Sequence, residues 1–352
     1  MIETSLEKRK DCLVKLGEIF KLSSNDEIWP GYSIGINESE YNKFKSTLSF
    51  VKNHNGWFSP SMVNSMLKAW SNLLTYDKIN NWFSKYSFSE NMSSKNIAII
   101  CAGNIPMVAF HDLICVYLTG NSIKLKLSSD DNVLIPAIID LLSKFDVDIC
   151  DHVVIVKDKL DGFDAVIATG SNNTSRYFKD YFGKYPHIIR KSRTSVAVLD
   201  GNESEDEIEK LADDVFLFYG LGCRNVTKLF LPVGFDLDRI FKGFYCKKDV
   251  IQNNKYANNY DYYKAIFLLE KYDLIENGFI ILKEDSSIFS PIGTLFYEFY
   301  DDLNKVENIL KEKSEEIQCR VGVKGLPYGK AQKPELWEYA DHVDTIEFLK
   351  NC

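Results

Sequence analysis

The sequence predicts an α/β fold in two domains, and three features carry that expectation. From residue 96 onward, apolar runs of strand length alternate with amphipathic stretches of helix length, the pattern of a mostly parallel sheet with helices on both faces. The same alternation starts afresh after residue 200. A chain of 352 residues is long enough to bury two cores. Its 45% hydrophobic and 26% charged content is ordinary for a globular protein.

Residues 1–95 are read as a mostly helical lead-in that packs on the domain after it. Helical periodicity is clearest where Val63, Met66, Leu67 and Trp70 share a face, and the tryptophans at 29, 57, 70 and 82 are assigned to core. The first α/β domain is placed at 96–199. It has strands at Ile97–Cys101, Ile123–Leu127, Val153–Val156, Ala165–Ile167 and Val196–Leu199, and helices at Pro106–Leu118, Val133–Phe145 and Asn173–Phe182. Pro106 suits a first helical turn, and Gly120 follows the end of that helix. The second domain is placed at 200–324, with helices at 204–219, 259–270 and 301–317 and strands at 227–231 and 278–282. The text at 252–263 reads as a surface connection entering a helix. Residues 325–352 begin as a loop and end in a strand-like Val343–Leu349, expected to return to the first domain or to pair with another subunit.

Composition excludes several functions. With 42 basic against 50 acidic residues, a net charge of −8 and no basic stripe, nucleic acid is not expected as a partner. The opening MIETSLEKRK lacks an apolar segment of secretory type. The apolar run at 97–118 carries Asn104, Pro106, His111 and Asp112, which a membrane span would not tolerate cheaply, so no span is expected. The eight cysteines (12, 101, 115, 150, 223, 246, 319 and 352) form no C-x-x-C pair and no metal spacing. They are read as reduced thiols of a cytoplasmic protein without a metal site.

The chemistry is expected around 215–232, VFLFYGLGCRNVTKLFLP. Cys223 follows Gly220 and Gly222 between a helix and a strand, with Arg224 beside it. A glycine-loosened turn can present a thiol, and a neighbouring guanidinium favours its thiolate; a surface arginine held in an ion pair is the plainer reading of Arg224. Three strand ends of the first domain are candidates for ligand contact, since such sheets bind ligands at the carboxyl ends of their strands. CAGNIPM places Asn104 after the first strand, as either a helix cap or a side chain aimed at a ligand. KLKLSSDDN places Lys126 with Ser128 and Ser129 after the second, where a solvated lysine and a cap would read the same way. ATGSNNT places Thr169, Gly170 and Ser171 before a helix start, a place for a phosphate. There is no G-x-G-x-x-G fingerprint.

Four stretches together resemble the aldehyde dehydrogenase superfamily, and within it the acyl-CoA reductase (LuxC-type) branch. They are GNIPMVAFHDLICVYLTGNSIKLKLSSDD, DAVIATGSNNTSRYF, FYGLGCRNVTKLFLP and YGKAQKPELWEYADHVDTIEFL, in register over roughly residues 96–352. The resemblance implies an aldehyde dehydrogenase-like fold, with a Rossmann-like NADP-binding domain at 96–199 and a catalytic domain at 200–324 carrying the nucleophilic cysteine. It implies Cys223 as the nucleophile and Asn104 as an oxyanion donor. Lys126, with Ser128 and Ser129 following, and Thr169, Gly170 and Ser171 would be the cofactor contacts. FSP at 289–291 resembles a ribose-contacting segment, with Ser287 in place of the usual glutamate. HIIRKSRTSVAV (187–198) stands where hydrolytic relatives keep a water-activating glutamate, and it holds no acidic residue. Ser129 stands where a ribose-binding glutamate excludes the 2′-phosphate, which favours NADPH, with NADH as the alternative. The implied activity is NADPH-dependent reduction of an acyl thioester, delivered by CoA or an acyl carrier protein, in a homo-oligomer. Aldehyde oxidation and acyl transfer without a redox step are the competing readings.

Overall fold

A computed structural model describes residues 2–88 and 94–352, with side chains from Leu6 onward; Met1 and residues 89–93 of the lead-in lie outside the described residues. The chain divides into two units. One runs to Lys191 and includes Glu335–Cys352, and the other is Ser192–Pro334.

The first unit opens with a helical layer of α1 (Ile2–Ser24), α2 (Glu38–His54), α3 (Pro60–Leu73) and α4 (Tyr76–Phe83). Each of the last three starts where a short polar side chain takes up an orphan N–H: Asn37 in a capping box with Glu40, Ser59 before Pro60, and Thr75. Trp70 and Trp82 are buried, whereas Trp29 and Trp57 keep partial exposure. Five strands follow: β1 (Asn96–Ile100), β2 (Ser122–Lys126), β3 (Val153–Ile155), β4 (Ala165–Thr169) and β5 (His187–Arg190). Between them lie α5 (Phe110–Leu118), α6 (Leu134–Phe145), α7 (Ile149–His152) and α8 (Asn172–Phe182). The described strands form a parallel sheet in the order β3-β2-β1-β4-β5. The chain therefore builds outward from β1 to β3, then crosses back over β1 to β4. Loops leaving β1 and β4 diverge, and their carboxyl ends form the switch point at which such sheets hold ligands. The lead-in packs on this domain through aromatic contacts, with Phe110 of α5 lying 5.9 Å from Phe20 and 4.6 Å from Trp70 between ring centres.

The second unit is β6 (Thr194–Val198), α9 (Glu205–Phe216), β7 (Val226–Pro232), α10 (Asp238–Phe244), α11 (Asn254–Leu269), β8 (Ile275–Glu276), β9 (Ile281–Glu284), β10 (Thr294–Tyr300), α12 (Leu303–Glu312) and β11 (Ile317–Gly322). Its sheet runs β11-β6-β7-β10-β9-β8, parallel except at β8–β9. The chain ends in α13 (Thr345–Asn351), within the first unit.

Several expected elements shift. The helix expected from Pro106 starts at Phe110, because Met107 is left-handed at φ +61° and cannot sit inside a helix. The units divide at Lys191 rather than after Leu199, because β6 pairs with β7 and β11 of the second sheet. The tyrosine-rich text at 252–263 is helical from Asn254, which Asn253 caps. The helix expected to reach 317 stops at Glu312, and Ile317 opens an edge strand. The strand-like Val343–Leu349 is instead α13, capped by Asp344. A strand that could pair with another subunit is therefore replaced by a helix docked within its own unit.

A buried ion pair fixes that docking. Arg190, at the end of β5, grips Asp112 of α5 through both terminal nitrogens, with Nη2 at 2.8 Å from Oδ1, and also donates to Thr345 Oγ1 at 3.2 Å. Removing one partner would leave the other charge buried and uncompensated. Asp112→Ala is expected to destabilise the first unit by about 3–5 kcal/mol, with most of the loss restored when Arg190→Met is added. Urea unfolding followed by tryptophan fluorescence measures this selectively, since Trp29, Trp57, Trp70, Trp82 and Trp337 all belong to that unit.

Candidate functional site

The carboxyl edge of the first sheet gathers most of the residues singled out by the sequence. Ile100 of β1 pairs with Lys126 of β2 on one side and with Ala168 of β4 on the other, so Lys126, Thr169 and the loop after β1 end at one level. Asn104 is exposed in that loop. The loop is held from below by Asp131, whose Oδ2 accepts the N–H of left-handed Met107 at 2.8 Å. Burial pushes the Asp131 carboxyl up to about 6, against the pull of the Met107 and Leu134 N–H groups. Gly103 is required here, since a Cβ would lie 2.6 Å from Ser128 Oγ and 2.9 Å from Asp130 Cβ. The β1 loop therefore passes tight against the β2 loop. Asn55, buried in the lead-in, ties the same turn by donating to the Asp130 carbonyl at 3.2 Å.

An ammonium carries three donors. Two from Lys126 go to the carbonyls of Lys157 and Asp158, which fixes the head and leaves the third for a ligand. Ser128 Oγ caps its own turn by accepting Asp130 N–H at 3.2 Å, while Ser129 and Asp130 keep exposed surface. Ser171 Oγ caps α8 through the N–H of Thr174, and Gly170 lets the loop approach that helix, with Thr174 and Phe178 about 3 Å from where a Cβ would stand. An oriented ammonium, hydroxyls at Ser129 and Thr169, and the start of α8 are a donor set that suits the riboses and phosphates of a nucleotide.

Cys223 belongs to the second unit and is exposed. The expected helix to residue 219 ends at Phe216, and Phe218, Tyr219 and Gly220 follow with φ of +57°, +56° and +78°. Two non-glycine residues in the left-handed region need external support. It comes from Asn225, a fully buried side chain whose Nδ2 reaches the carbonyls of Asp214, Val215 and Leu217 at 3.2, 3.1 and 2.7 Å. Its Oδ1 accepts the Gly222 N–H at 2.8 Å, and its own N–H returns to the Gly222 carbonyl at 3.0 Å. Arg224 Nη1 donates to the Ala331 carbonyl at 3.2 Å, a backbone contact in place of the expected ion pair. Asp214, also fully buried, accepts the N–H groups of Gly329 and Ala331 at 2.6 and 2.9 Å. The segment YGKA is thus fastened to the cysteine loop from two sides. The loop of the FSP motif is held similarly, by Thr227 Oγ1 on the Ile288 carbonyl and Lys228 Nζ on the Asp285 carbonyl.

Asn55, Asp131, Asp214 and Asn225 were not singled out by the sequence; Asn225, two residues past the thiol, was the one most open to detection. His111 lies among Trp82, Trp70 and Tyr339, with Nε2 2.9 Å from the Leu336 carbonyl, a packing position. Among the described residues no group of His, Cys, Asp or Glu is arranged to hold a metal, and no helix is long and apolar enough to cross a membrane.

Comparison with known proteins gives two results. A family profile described as acyl-CoA reductase (LuxC) matches residues 37–236. Among solved structures, aldehyde dehydrogenase 21 from Physcomitrella patens, in complex with the reaction product succinate, superposes with a TM-score of 0.61 at 13% identity, covering 90% of this chain and 73% of that one. HpcC from Thermus thermophilus gives 0.62 at 11% identity, over 90% and 69%. An indole-3-acetaldehyde dehydrogenase complexed with NAD+ gives 0.62 at 13%, over 90% and 71%. At such identities the likeness establishes the fold, that of the aldehyde dehydrogenases. No curated protein matched the chain.

Burial pushes the Asp214 carboxyl up to about 6, against the pull of the Gly329 and Ala331 N–H groups. The folded state then holds this proton at a pH where the unfolded chain has released it. Stability from this group therefore falls as pH rises from about 4 to about 6 and is level above that. Carboxyl 13C NMR is expected to show Asp214 titrating near pH 6. Amide exchange at Gly329 and Ala331, corrected for intrinsic rate, should slow as pH falls from about 6 to about 4, because an opening that solvates the carboxyl becomes harder. A midpoint near 4 would contradict the assignment.

Proposed function

The chain belongs to the acyl-CoA reductase (LuxC) family, and from that premise we propose that it reduces an acyl thioester to an aldehyde through an acyl group carried on Cys223. The family makes it an oxidoreductase of aldehyde chemistry. The observation that carries the finer reading is the exposed thiol of Cys223 on a backbone held from within by Asn225. In the proposed reaction the Cys223 thiolate attacks the carbonyl of an acyl-CoA or an acyl carrier protein thioester. A new carbon–sulfur bond forms and the donor thiol leaves, giving an acyl-enzyme. The Asn104 amide and the Cys223 N–H are the proposed oxyanion donors, each contributing about 3–4 kcal/mol. A reduced nicotinamide, when bound, supplies the hydride that converts the thioester to a thiohemiacetal, which collapses to aldehyde and regenerates the thiol. Residues 187–198 offer no carboxylate to activate water against the acyl-enzyme, which favours reduction over hydrolysis.

Solved neighbours of the same fold were crystallised with NAD+, which supports a nicotinamide cofactor on the carboxyl edge of the first sheet, with Lys126, Ser128, Ser129 and the Thr169–Ser171 loop as its contacts. The uncharged Ser129 favours NADPH. The exposed carboxylate of Asp130 in the same turn favours NADH instead, and this second reading is kept for the test.

Loss of NADPH absorbance with a panel of acyl-CoAs, run on wild type and Cys223→Ala, is expected to show turnover that the variant lowers at least about 10³-fold. Ser129→Glu should shift the NADPH-to-NADH preference toward NADH by about tenfold. Preference for NADH already in the wild type would favour the Asp130 reading. Covalent acylation of Cys223 without NADPH or NADH oxidation would favour acyl transfer, and NADP+ or NAD+ reduction with aldehydes but no thioester turnover would favour the oxidising direction.

A further inference from the structure

Strand β6 keeps its own spacing, while both neighbouring strands carry an extra residue beside Ser195. Its pairing with β7 shifts between Ser195 and Val196, and its pairing with β11 shifts between the Ile317 and Arg320 positions. A bulge interrupts the ladder and re-aims a side chain, and bulges gather beside functional sites. Between these two irregularities lies Ser195, a residue with no exposed surface. Ser195 Oγ donates to the Cys223 carbonyl at 3.1 Å and accepts the Cys319 N–H at 3.2 Å. The Cys319 thiol, 3.1 Å away, completes the set as a second donor. A hydroxyl has one proton and two lone pairs, so every valence of this one is used. The Ser195 N–H meanwhile donates to the Asn225 carbonyl at 3.0 Å. One residue thus grips the cysteine turn at 223 and 225, opposite the hold of Asn225 on Gly222.

We infer that Ser195 is a positioning residue for Cys223: its hydroxyl fixes the plane of the peptide that follows the nucleophile and so the direction of the thiol. The inference rests on the reading of Cys223 as the nucleophile, but it can be tested without any substrate. A strand position that needed only to fill space could carry any small residue at 195, whereas this role requires a donor.

The test compares wild type with Ser195→Ala and Ser195→Thr. Alkylation of Cys223 by iodoacetamide is followed across pH by peptide mass spectrometry, which separates it from the exposed Cys150 and Cys246, and kcat and KM are measured with acyl-CoA and the cofactor. Ser195→Ala is expected to shift the midpoint of the alkylation profile and to lower kcat about 10- to 100-fold with little change in KM. Ser195→Thr, which keeps the hydroxyl, is expected to hold the wild-type midpoint. A folded Ser195→Ala protein with unchanged alkylation and kcat would overturn the inference, as would equal shifts in both variants. Should Ser195→Ala fail to fold, Ser195→Cys, nearly isosteric and a weaker donor, is read in its place by the same criteria. Absence of acyl-CoA turnover in the wild type counts against the reductase reading, and the alkylation comparison still decides on Ser195.

Discussion

A thiol that is to be both accessible and immobile sets the hardest constraint on this chain, and the buried amide of Asn225 is where it is met. Side-chain exposure rules out fixing Cys223 by packing around its sulfur. The backbone must be fixed instead, and here it leaves α9 through two non-glycine residues in the left-handed region, each costing about 1–3 kcal/mol unless its surroundings enforce it. Asn225 enforces them by joining the last carbonyls of α9 to the Gly222 N–H. A helix C-terminus leaves four carbonyls without partners; one side chain takes up two of these, Asp214 and Val215, with the Leu217 carbonyl beyond them, and shapes the turn as well.

The first unit meets the same problem with a different group. The loop that carries Asn104 passes through left-handed Met107, and the acceptor that holds it is the carboxylate of Asp131. A carboxylate takes two N–H donors where an amide oxygen shares its residue with an NH2, so it suits a place where only donors converge. Asp214 repeats this for Gly329 and Ala331. Desolvation raises both carboxyls, and backbone N–H groups oppose the rise in each. The backbone of each of these loops is thus ordered by a buried polar group.

Much of this could be read from the sequence, and what could not shares a cause. Strand and helix periods located β1, β2, β4, α6, α8 and β7, because apolar spacing reports burial directly. The Asn104, Lys126 and Thr169–Ser171 segments were found because a parallel sheet gathers strand ends at one edge. The run Thr294–Tyr300 has the composition of a strand but was not among those expected, and it proves central to the second sheet. Ile317, Cys319 and Val321 alternate with polar residues, yet the expected helix ran into their start. The deeper misses are Asp131, Asp214, Asn225 and Ser195. Their partners are backbone groups as distant as residue 331, and spacing along a chain carries no record of a contact to a main-chain atom across a turn.

Burial also separates Cys223 from the other thiol at a strand end. Cys101 follows β1 directly, three residues before Asn104, and by sequence position alone it would be as good a nucleophile. Its side chain is buried, and desolvation, with the carboxylates of Asp112 and Asp131 nearby, pushes its pKa up to about 12. At neutral pH that thiol keeps its proton, and the protonated form neither attacks carbonyls nor binds metals. Cys115, wholly enclosed in α5, is likewise raised well above the ordinary thiol value by burial. Cys246 is exposed, but partial burial raises its pKa and its thiol donates back to the Gly243 carbonyl. The fold thus silences the thiols of its cores by desolvation, while Cys223 stands on the surface with its backbone locked beneath it. That combination of exposed sulfur and fixed main chain, more than the glycines of the turn, supports the proposal that this cysteine carries the acyl group.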